Sequence, residues 1–314
     1  MHTHPDRIAI IHEWLTSMRG GEKCVEAMCE VFPNAEIFTL LHIPGSVSPT
    51  IERMTIHTSF VQHLPMAAKR YRYYLPLFPT AISRFDLSRY HLVISSNHCV
   101  AKGVRTNPET TLHICYCHTP MRYIWDLYDD YFGKDRAGMV TRMGMRAVRG
   151  YLRRWDVRTA EYPQHFVANS NNIRQKISRI YGREARVIYP PVDVDGFIPS
   201  REDDGFFLVV SAFVPYKRVD LAIAACTITG DRLVVIGEGP EDVRLRGIAG
   251  PNVAFVGRAS DEELRSYYAR CSAVIFPGEE DFGIVPVESM AAGKPVIAYG
   301  KGGATETVID TPGE

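Results

Sequence analysis

At 314 residues the chain is long enough for two domains, each burying its own core. A hydrophobic content of 46% with 23% charged residues is that of a soluble globular protein. Lys plus Arg and Asp plus Glu both number 36, so nothing global argues for nucleic acid, and attraction to an anionic surface must come from local clusters.

The first residues, MHTHPDRIAIIHEW, lead directly into a strand and lack the long apolar core of a signal peptide. No apolar stretch reaches the ~20 residues that a membrane-spanning helix needs. The seven cysteines are scattered and odd in number, which suits reduced core thiols. A cytoplasmic protein is expected. Apolar runs predict strands near Ile8–Ile11, Glu36–Leu41, Leu92–Ser95, Leu112–Cys117, Phe166–Ala168 and Val187–Tyr189. A second series follows near Phe206–Ser211, Leu233–Ile236, Val253–Val256, Ala273–Phe276 and Pro295–Ala298. Short unalternating Val/Ile/Leu runs belong to parallel sheets covered on both faces, and the βαβα order predicts doubly wound α/β units. The Pro- and acid-rich stretch around 191–204 reads as a linker. The expected organisation is a Rossmann-like domain over 1–190 and a second over 205–314, facing a cleft.

Ligands in such folds bind at the C-terminal ends of strands. In Arg19-Gly20-Gly21-Glu22-Lys23, Gly20 and Gly21 let backbone approach a ligand at the start of a helix, whose N-terminus offers N–H groups. No third glycine completes a dinucleotide fingerprint. Asn97, His98, His118, Asn169 and Ser170 each close or follow a predicted strand. A lone histidine at such a place serves equally well as a structural hydrogen-bonder. Arg142, Arg146, Arg149 and Arg153 form a helical stripe, and residues 69–74 (KRYRYY) add a basic-aromatic cluster. These fit either docking on anionic lipid headgroups or arginines engaged by intramolecular acids. Asp193-Val194-Asp195 has a metal-binding spacing, but no strand feeds it and it reads as a solvated turn. No His-x-x-x-His or Cys-x-x-Cys occurs, so no metal is expected.

In the second half, Lys217 follows a strand and opens a helix, placed to reach a phosphate oxygen, with Arg218 beside it. Gly237 and Gly239 form a turn after the next strand, and Arg258 follows the one after. Residues 275–303 read IFPGEEDFGIVPVESMAAGKPVIAYGKGG. A buried strand ends at Pro277, a loop carries Glu280 to Gly283, and Pro286 fits the first turn of a helix that Gly293 ends. Glu280 therefore stands on the loop and Glu288 about one turn into the helix. Between them, the amides of Phe282, Gly283, Ile284 and Val285 point out of the helix N-terminus. Carboxylates accept from sugar hydroxyls, while free N–H groups and the helix dipole favour phosphate.

This string resembles the donor-sugar signature of the retaining glycosyltransferases of family 4, which have the GT-B fold. The match comprises Glu280, Phe282-Gly283, Glu288, Ala292-Gly293-Lys294-Pro295-Val296-Ile297 and Gly302-Gly303. Gly237-Glu238-Gly239-Pro240 resembles the family's Gly-x-Gly-Pro turn, Arg258 follows the strand end where members bind the base, and Gly20-Gly21-Glu22 resembles its Gly-Gly-x-Glu loop with the acid one place early. Lys217 matches, whereas the family's usual arginine is replaced by Ala212 and Arg218 takes a glycine's place. The resemblance implies that Glu288 binds ribose, Glu280 binds donor-sugar hydroxyls, and His118 lies against the donor sugar, with terminal helices missing after residue 314. CHTPMRYIWDLYDDYFG most resembles bacterial O-antigen and exopolysaccharide mannosyltransferases. That implies GDP-mannose as donor, a polyprenyl-diphosphate-linked oligosaccharide as acceptor and the inner face of the cytoplasmic membrane as location, with no cofactor. A UDP-hexose donor, a non-transferring epimerase and a silent nucleotide- or membrane-binding partner remain as alternatives.

Overall fold

A computed structural model describes residues 7–125 and 139–310; the side chains of residues 139–143 and 145–147 lie outside that description. The chain divides into two compact units, Met1–Pro191 and Val192–Glu314, each with its own sheet and core.

The first unit is built on a seven-stranded sheet of order β3-β2-β1-β4-β5-β6-β7. Its strands are Ile8–Leu15 (β1), Glu36–His42 (β2), Thr55–Thr58 (β3), Leu92–Asn97 (β4), Leu112–Cys117 (β5), His165–Ala168 (β6) and Ala185–Val187 (β7), paired in parallel throughout. All eight residues of β1 are buried because both sheet faces are covered. Ile8 and Ile10 pack with Val25, Cys29 and Ile37 in one layer, while Ala9 and Ile11 pack with Phe78, Ile82 and Val93 in the other. Each such aliphatic side chain contributes about 1.5–3 kcal/mol on burial. The longer helices are Gly20–Val31 (α1), Met139–Arg158 (α2) and Asn171–Tyr181 (α3). Ser170 caps α3, its hydroxyl accepting from Ile173 N–H at 3.0 Å, and Gly182 closes the helix in the left-handed region.

Helix α2 turns Leu152, Trp155 and Asp156 inward. Asp156 is the hub of a buried polar cluster. It accepts from the Lys102 ammonium at 2.6 Å, Trp125 Nε1 at 2.8 Å and the Tyr181 hydroxyl at 2.9 Å. Gly103 lies under Trp155, so close that a Cβ there would stand 2.4 Å from the indole. Two arginines of the expected basic stripe are engaged within the unit, both by a backbone carbonyl. Arg149 and Arg153 both donate to the Ile124 carbonyl, at 3.2 and 2.8 Å, and the Arg153 guanidinium lies 4.5 Å from the Trp125 ring. The side chains of Arg142 and Arg146 lie outside the described residues, as does 126–133 of the CHTPMRYIWDLYDDYFG segment.

The second unit has five parallel strands in the order β10-β9-β8-β11-β12: Phe206–Val210 (β8), Arg232–Ile236 (β9), Val253–Gly257 (β10), Ala273–Phe276 (β11) and Val296–Ala298 (β12). Its longer helices are Val219–Thr229 (α4), Asp242–Ile248 (α5), Asp261–Arg270 (α6) and Ile284–Ala291 (α7). Residues 192–204 pack onto this unit. Ser200 N–H donates to the Ala292 carbonyl at 3.1 Å, Asp204 N–H to the Arg270 carbonyl at 2.9 Å, and the Lys294 ammonium to the Glu202 carbonyl. Asp193, expected in a purely solvated turn, pairs with Arg265 at 3.1 Å.

Most strands match their predicted extents to within one or two residues, and three depart more instructively. β1 runs on through His12-Glu13-Trp14-Leu15, β7 begins at Ala185, and β3, a half-exposed edge strand reading TIHT, lacks the apolar run that would mark it. In both sheets the strand order reverses once, beside β1 and β4 in the first and beside β8 and β11 in the second. Adjacent loops at such a reversal leave in opposite directions and open a crevice at the strand ends.

Candidate functional site

In the second unit the loops after β8 and β11 meet at this reversal point. The β8 loop passes through a short turn, Pro215–Lys217, to Arg218, whose backbone is left-handed (φ 51°). The β11 loop carries Glu280, and the Lys217 ammonium forms an ion pair with its carboxylate; both side chains are about four-fifths buried. Glycine makes the meeting possible. A Cβ on Gly278 would lie 2.8 Å from Lys217 Cα and 2.9 Å from the Tyr216 carbonyl oxygen. Gly278 was not anticipated as a site residue.

Glu280 is held from the other side as well. It forms an isolated parallel bridge with Gly302, and Gly303 N–H donates to its carbonyl at 2.7 Å. Beyond it, buried Phe282 and left-handed Gly283 (φ 90°) turn the chain into α7. Ile284 and Val285 form the first turn of α7. Glu288 is buried on α7 and accepts from the Tyr268 hydroxyl at 2.9 Å. Burial, then the Glu288 charge, push Tyr268 well above its ordinary value, so it stays a neutral donor. Arg218 is exposed and pairs with Asp220 at 3.3 Å. The β9 loop is laced to the β8 loop: Phe213 N–H donates to Glu238 O at 2.9 Å and Glu241 N–H to Phe213 O at 3.0 Å. Gly237 and Gly239 are demanded by that contact, since a Cβ on either would lie 1.8 Å from the Ser211 carbonyl oxygen or 2.5 Å from that of Phe213. Arg258 is exposed at the end of edge strand β10, two strands from β8.

In the first unit the reversal point gathers a different set. His12 and Glu13 on β1, Glu22 on α1, Ser96 on β4, and His98 and His118 beyond the ends of β4 and β5 form one cluster. Glu13 is fully buried. Its Oε1 accepts from the backbone N–H groups of His98, Cys99, Val100 and Ala101 at 2.8–3.0 Å, and its Oε2 lies 2.8 Å from His98 Nδ1. Burial alone would raise this carboxyl, but His98, His12 and the amides hold it well below the usual carboxylate range. His12 Nδ1 lies 3.0 Å from Ser96 Oγ, which lies 2.8 Å from His118 Nε2. Gly21 stands beside both rings, a Cβ there falling 3.5 Å from His12 Cε1. Gly20 begins α1, and Arg19 N–H donates to Glu22 Oε2 at 3.1 Å.

Of the strand-end polar residues, Asn97 turns inward, its Oδ1 accepting from Lys102 N–H at 3.0 Å. Asn169 and the capping Ser170 follow β6, two strands from β4. Sequence reasoning missed His12 and Glu13, and noted Ser96 only as a strand-end residue beside Asn97 and His98, with its role open. The signal for the first two was a polar pair flanked on both sides by buried apolar residues, IAIIHEWL, which argues for an enclosed polar role. Among the described residues, His12, Glu13 and His98 place three metal-ligating atoms within 4.8 Å of one another. One Glu13 oxygen is saturated by four amides, and the other lies 2.8 Å from His98 Nδ1 as an ion-pair contact without hydrogen-bond geometry.

Comparison with known proteins agrees with the signature in the second unit. Residues 18–195 match the family described as Glycosyltransferase Family 4, and residues 195–312 match Glycosyl transferases group 1. The chain belongs to glycosyltransferase family 4. Similar proteins include an uncharacterized glycosyltransferase of Methanocaldococcus jannaschii, 35% identical over 146 residues, which are 45% of this chain and 41% of that one. The O-antigen chain mannosyltransferase RfbU of Salmonella typhimurium is 28% identical over 43% of this chain and 41% of its own. A GDP-mannose-dependent alpha-mannosyltransferase of Mycolicibacterium smegmatis is 33% identical over 37% and 34%. The matches thus span between a third and 41% of these relatives' lengths. Among solved structures, sucrose-phosphate synthase from Thermosynechococcus elongatus superposes with a TM-score of 0.70 at 19% identity, covering 96% of this chain and 83% of that one. Anabaena HepE in complex with UDP and glucose gives 0.67 at 16% identity, with the same coverage. This family 4 glycosyltransferase has the GT-B fold.

Proposed function

We propose that this chain transfers a hexose, with retention of anomeric configuration, from a sugar nucleotide to a lipid-linked oligosaccharide, and that the donor is GDP-mannose. The observation that carries the reading is the Lys217–Glu280 pair at the β8/β11 reversal, beside the N-terminus of α7. A cation for a diphosphate and an acid for sugar hydroxyls stand in contact, already partly desolvated. In the free protein they satisfy each other, and a donor would part them. The ammonium turns to diphosphate oxygen, where α7 amides and the Arg218 guanidinium add positive charge, and Glu280 turns to sugar hydroxyls. Glu288, whose Oε2 is anchored by Tyr268, takes the ribose hydroxyls. Gly237, Gly239 and Arg258 border the nucleotide.

In the reaction the anomeric C–O bond breaks and its electron pair leaves on the diphosphate. The acceptor hydroxyl oxygen forms the new bond, and its proton passes to the leaving phosphate. Lys217 and the α7 amides stabilise the growing negative charge, so no metal is required for it. His118 belongs in this reading to the donor sugar, and Gly20, Gly21, Asn97, His98, Asn169 and Ser170 to the loops around it and the acceptor.

The mannosyl donor is supported by relatives named as mannosyltransferases, two of them O-antigen enzymes. A membrane-borne acceptor is supported by the segment around Lys69, Arg70 and Arg72, which exposes Met66, Tyr73 and Leu77 beside three cations. Calorimetric titration with GDP-mannose, UDP-glucose and ADP-glucose tests the donor. GDP-mannose should bind tightest, and Glu288→Ala should weaken it about tenfold or more. Preference for UDP-glucose would move the reading to a UDP-hexose transferase, and binding indifferent to Glu288→Ala would remove the ribose assignment.

A further inference from the structure

The cluster in the first unit contains a continuous polar chain that the functional reading does not use. Two hydrogen bonds form it, His12 Nδ1 to Ser96 Oγ at 3.0 Å and Ser96 Oγ to His118 Nε2 at 2.8 Å, and Glu22 Oε1 flanks His12 Nε2 as a 3.5 Å ion-pair contact without hydrogen-bond geometry. The four residues come from α1, β1, β4 and the end of β5, and His12 and Ser96 are directly paired across the sheet. A serine hydroxyl has one proton, so the chain has a direction. If His12 is an imidazolium, both its nitrogens donate. Ser96 then accepts from His12 and must give its own proton to His118. If His12 is neutral with its proton on Nε2, that nitrogen still faces Glu22 with an N–H, but both Ser96 bonds reverse and His118 Nε2 becomes the donor.

The surroundings decide between the two. His12 is fully buried between two acids, with Glu22 Oε1 at 3.5 Å and Glu13 Oε2 at 4.0 Å. A neutral His12 turns a bare lone pair toward one of them, Nδ1 toward Glu13 or Nε2 toward Glu22, and only the imidazolium presents a proton to each. We infer that Glu22, His12 and Ser96 are positioning residues that hold the His118 imidazole neutral and in one tautomer, with the proton on Nδ1 and the Nε2 lone pair turned to Ser96. The effect is a preset hydrogen-bond donor at His118 Nδ1, suited to a hydroxyl or carbonyl oxygen of a bound sugar. Its effect on catalysis rests on the functional reading above; the tautomer does not.

The titration behaviour agrees. Burial would lower His12, but the contact and charge of Glu22, the Glu13 charge and the Ser96 backbone outweigh it, and His12 is raised. His118 is pushed down to about 3 by burial and by the His98 and His12 charges, against the weaker pull of Glu13 and Glu22. The Tyr116 ring also faces it, 5.1 Å away on β5.

The test is long-range 1H–15N NMR of the full 314-residue chain labelled at histidine nitrogen, between pH 6 and 8. His118 should show a pyrrole-type Nδ1 and a pyridine-type Nε2, with His12 doubly protonated. Ser96→Ala and, separately, Glu22→Gln should convert His118 to a tautomer mixture, while Ser96→Thr, which keeps the hydroxyl, restores the single form. A wild-type His118 with its proton on Nε2, or one carrying two protons, overturns the relay, as does a signature unmoved by both Ser96→Ala and Glu22→Gln. Should Ser96→Ala not fold, the wild-type spectrum alone decides. In the transfer assay, Ser96→Ala should lower kcat about tenfold with little change in donor KM. The expected tautomer together with an unchanged kcat would leave the relay standing and remove His118 from the donor sugar.

Discussion

Lys217 in the β8 loop and Glu13 within β1 are both paired charged groups, yet removal of each has a different consequence. Lys217 contacts Glu280 on a partly open surface, so Lys217→Ala should leave folding nearly intact and remove a preorganised cation from the diphosphate. A loss of about 10²–10³ in kcat/KM is expected, measured by initial rates with GDP-mannose. Glu13 instead gathers four consecutive amides and an imidazole in full burial. Glu13→Ala should destabilise the first unit by about 3–5 kcal/mol, read from urea unfolding, with Glu13→Gln costing less because an acceptor oxygen remains. The two sets were unequally legible in the sequence. Glu280, Phe282, Gly283 and Glu288 lie within nine consecutive residues of one loop and helix, so spacing alone places them. His12, Ser96 and His118 are brought together only by strand pairing, and no linear pattern reports which strands become neighbours.

At the scale of elements, apolar runs were sufficient for most strands and failed where burial and polarity part company. β1 was cut short because His12 and Glu13 are polar, although the sheet buries them; β3 was missed because an edge strand needs no continuous apolar run. Glycines show the same limit. Gly283 and Gly293 are readable as helix boundaries, and both are left-handed. Gly278 is readable only from the structure, because its reason for being glycine is the backbone of Lys217, 61 residues earlier in the chain. Gly278→Ala must push the β8 loop back by several tenths of an ångström. It should cost about 1–3 kcal/mol in stability, and donor affinity should fall by more than stability alone explains. Calorimetry on the folded variant, beside its melting curve, separates the two effects.

For the whole molecule, the three tryptophans, Trp14, Trp125 and Trp155, all belong to the first unit, so tryptophan fluorescence follows its unfolding alone. Its stability should depend on pH through His113, which is fully buried against Ser95 Oγ at 2.9 Å and pushed down to about 3 by burial and the Lys102 charge. Its unfolded form titrates near 6.5, so below that pH the unfolded chain binds a proton that the folded one refuses. Stability from this group is full above pH 6.5 and is lost toward pH 3, about 2 kcal/mol of it between pH 6.5 and 5. His12, raised instead, runs the other way: its contribution is full below pH 6.5 and fades as pH climbs through its folded value. His118, also pushed down to about 3, loses stability over the same range as His113 and outweighs the opposite trend of His12, so urea midpoints at pH 7 and pH 5 should differ by more than His113 alone implies, and the difference should shrink in His113→Gln.

The bridge between Glu280 and Gly302, closed by Gly303 N–H on the Glu280 carbonyl, clamps the main chain on which that acid is mounted. Only the side-chain torsions are left to change when Glu280 exchanges lysine for sugar. Capture and release should then be quick swivels on a stationary mount, and deuterium uptake at Gly303 should be equally slow with the site empty or filled.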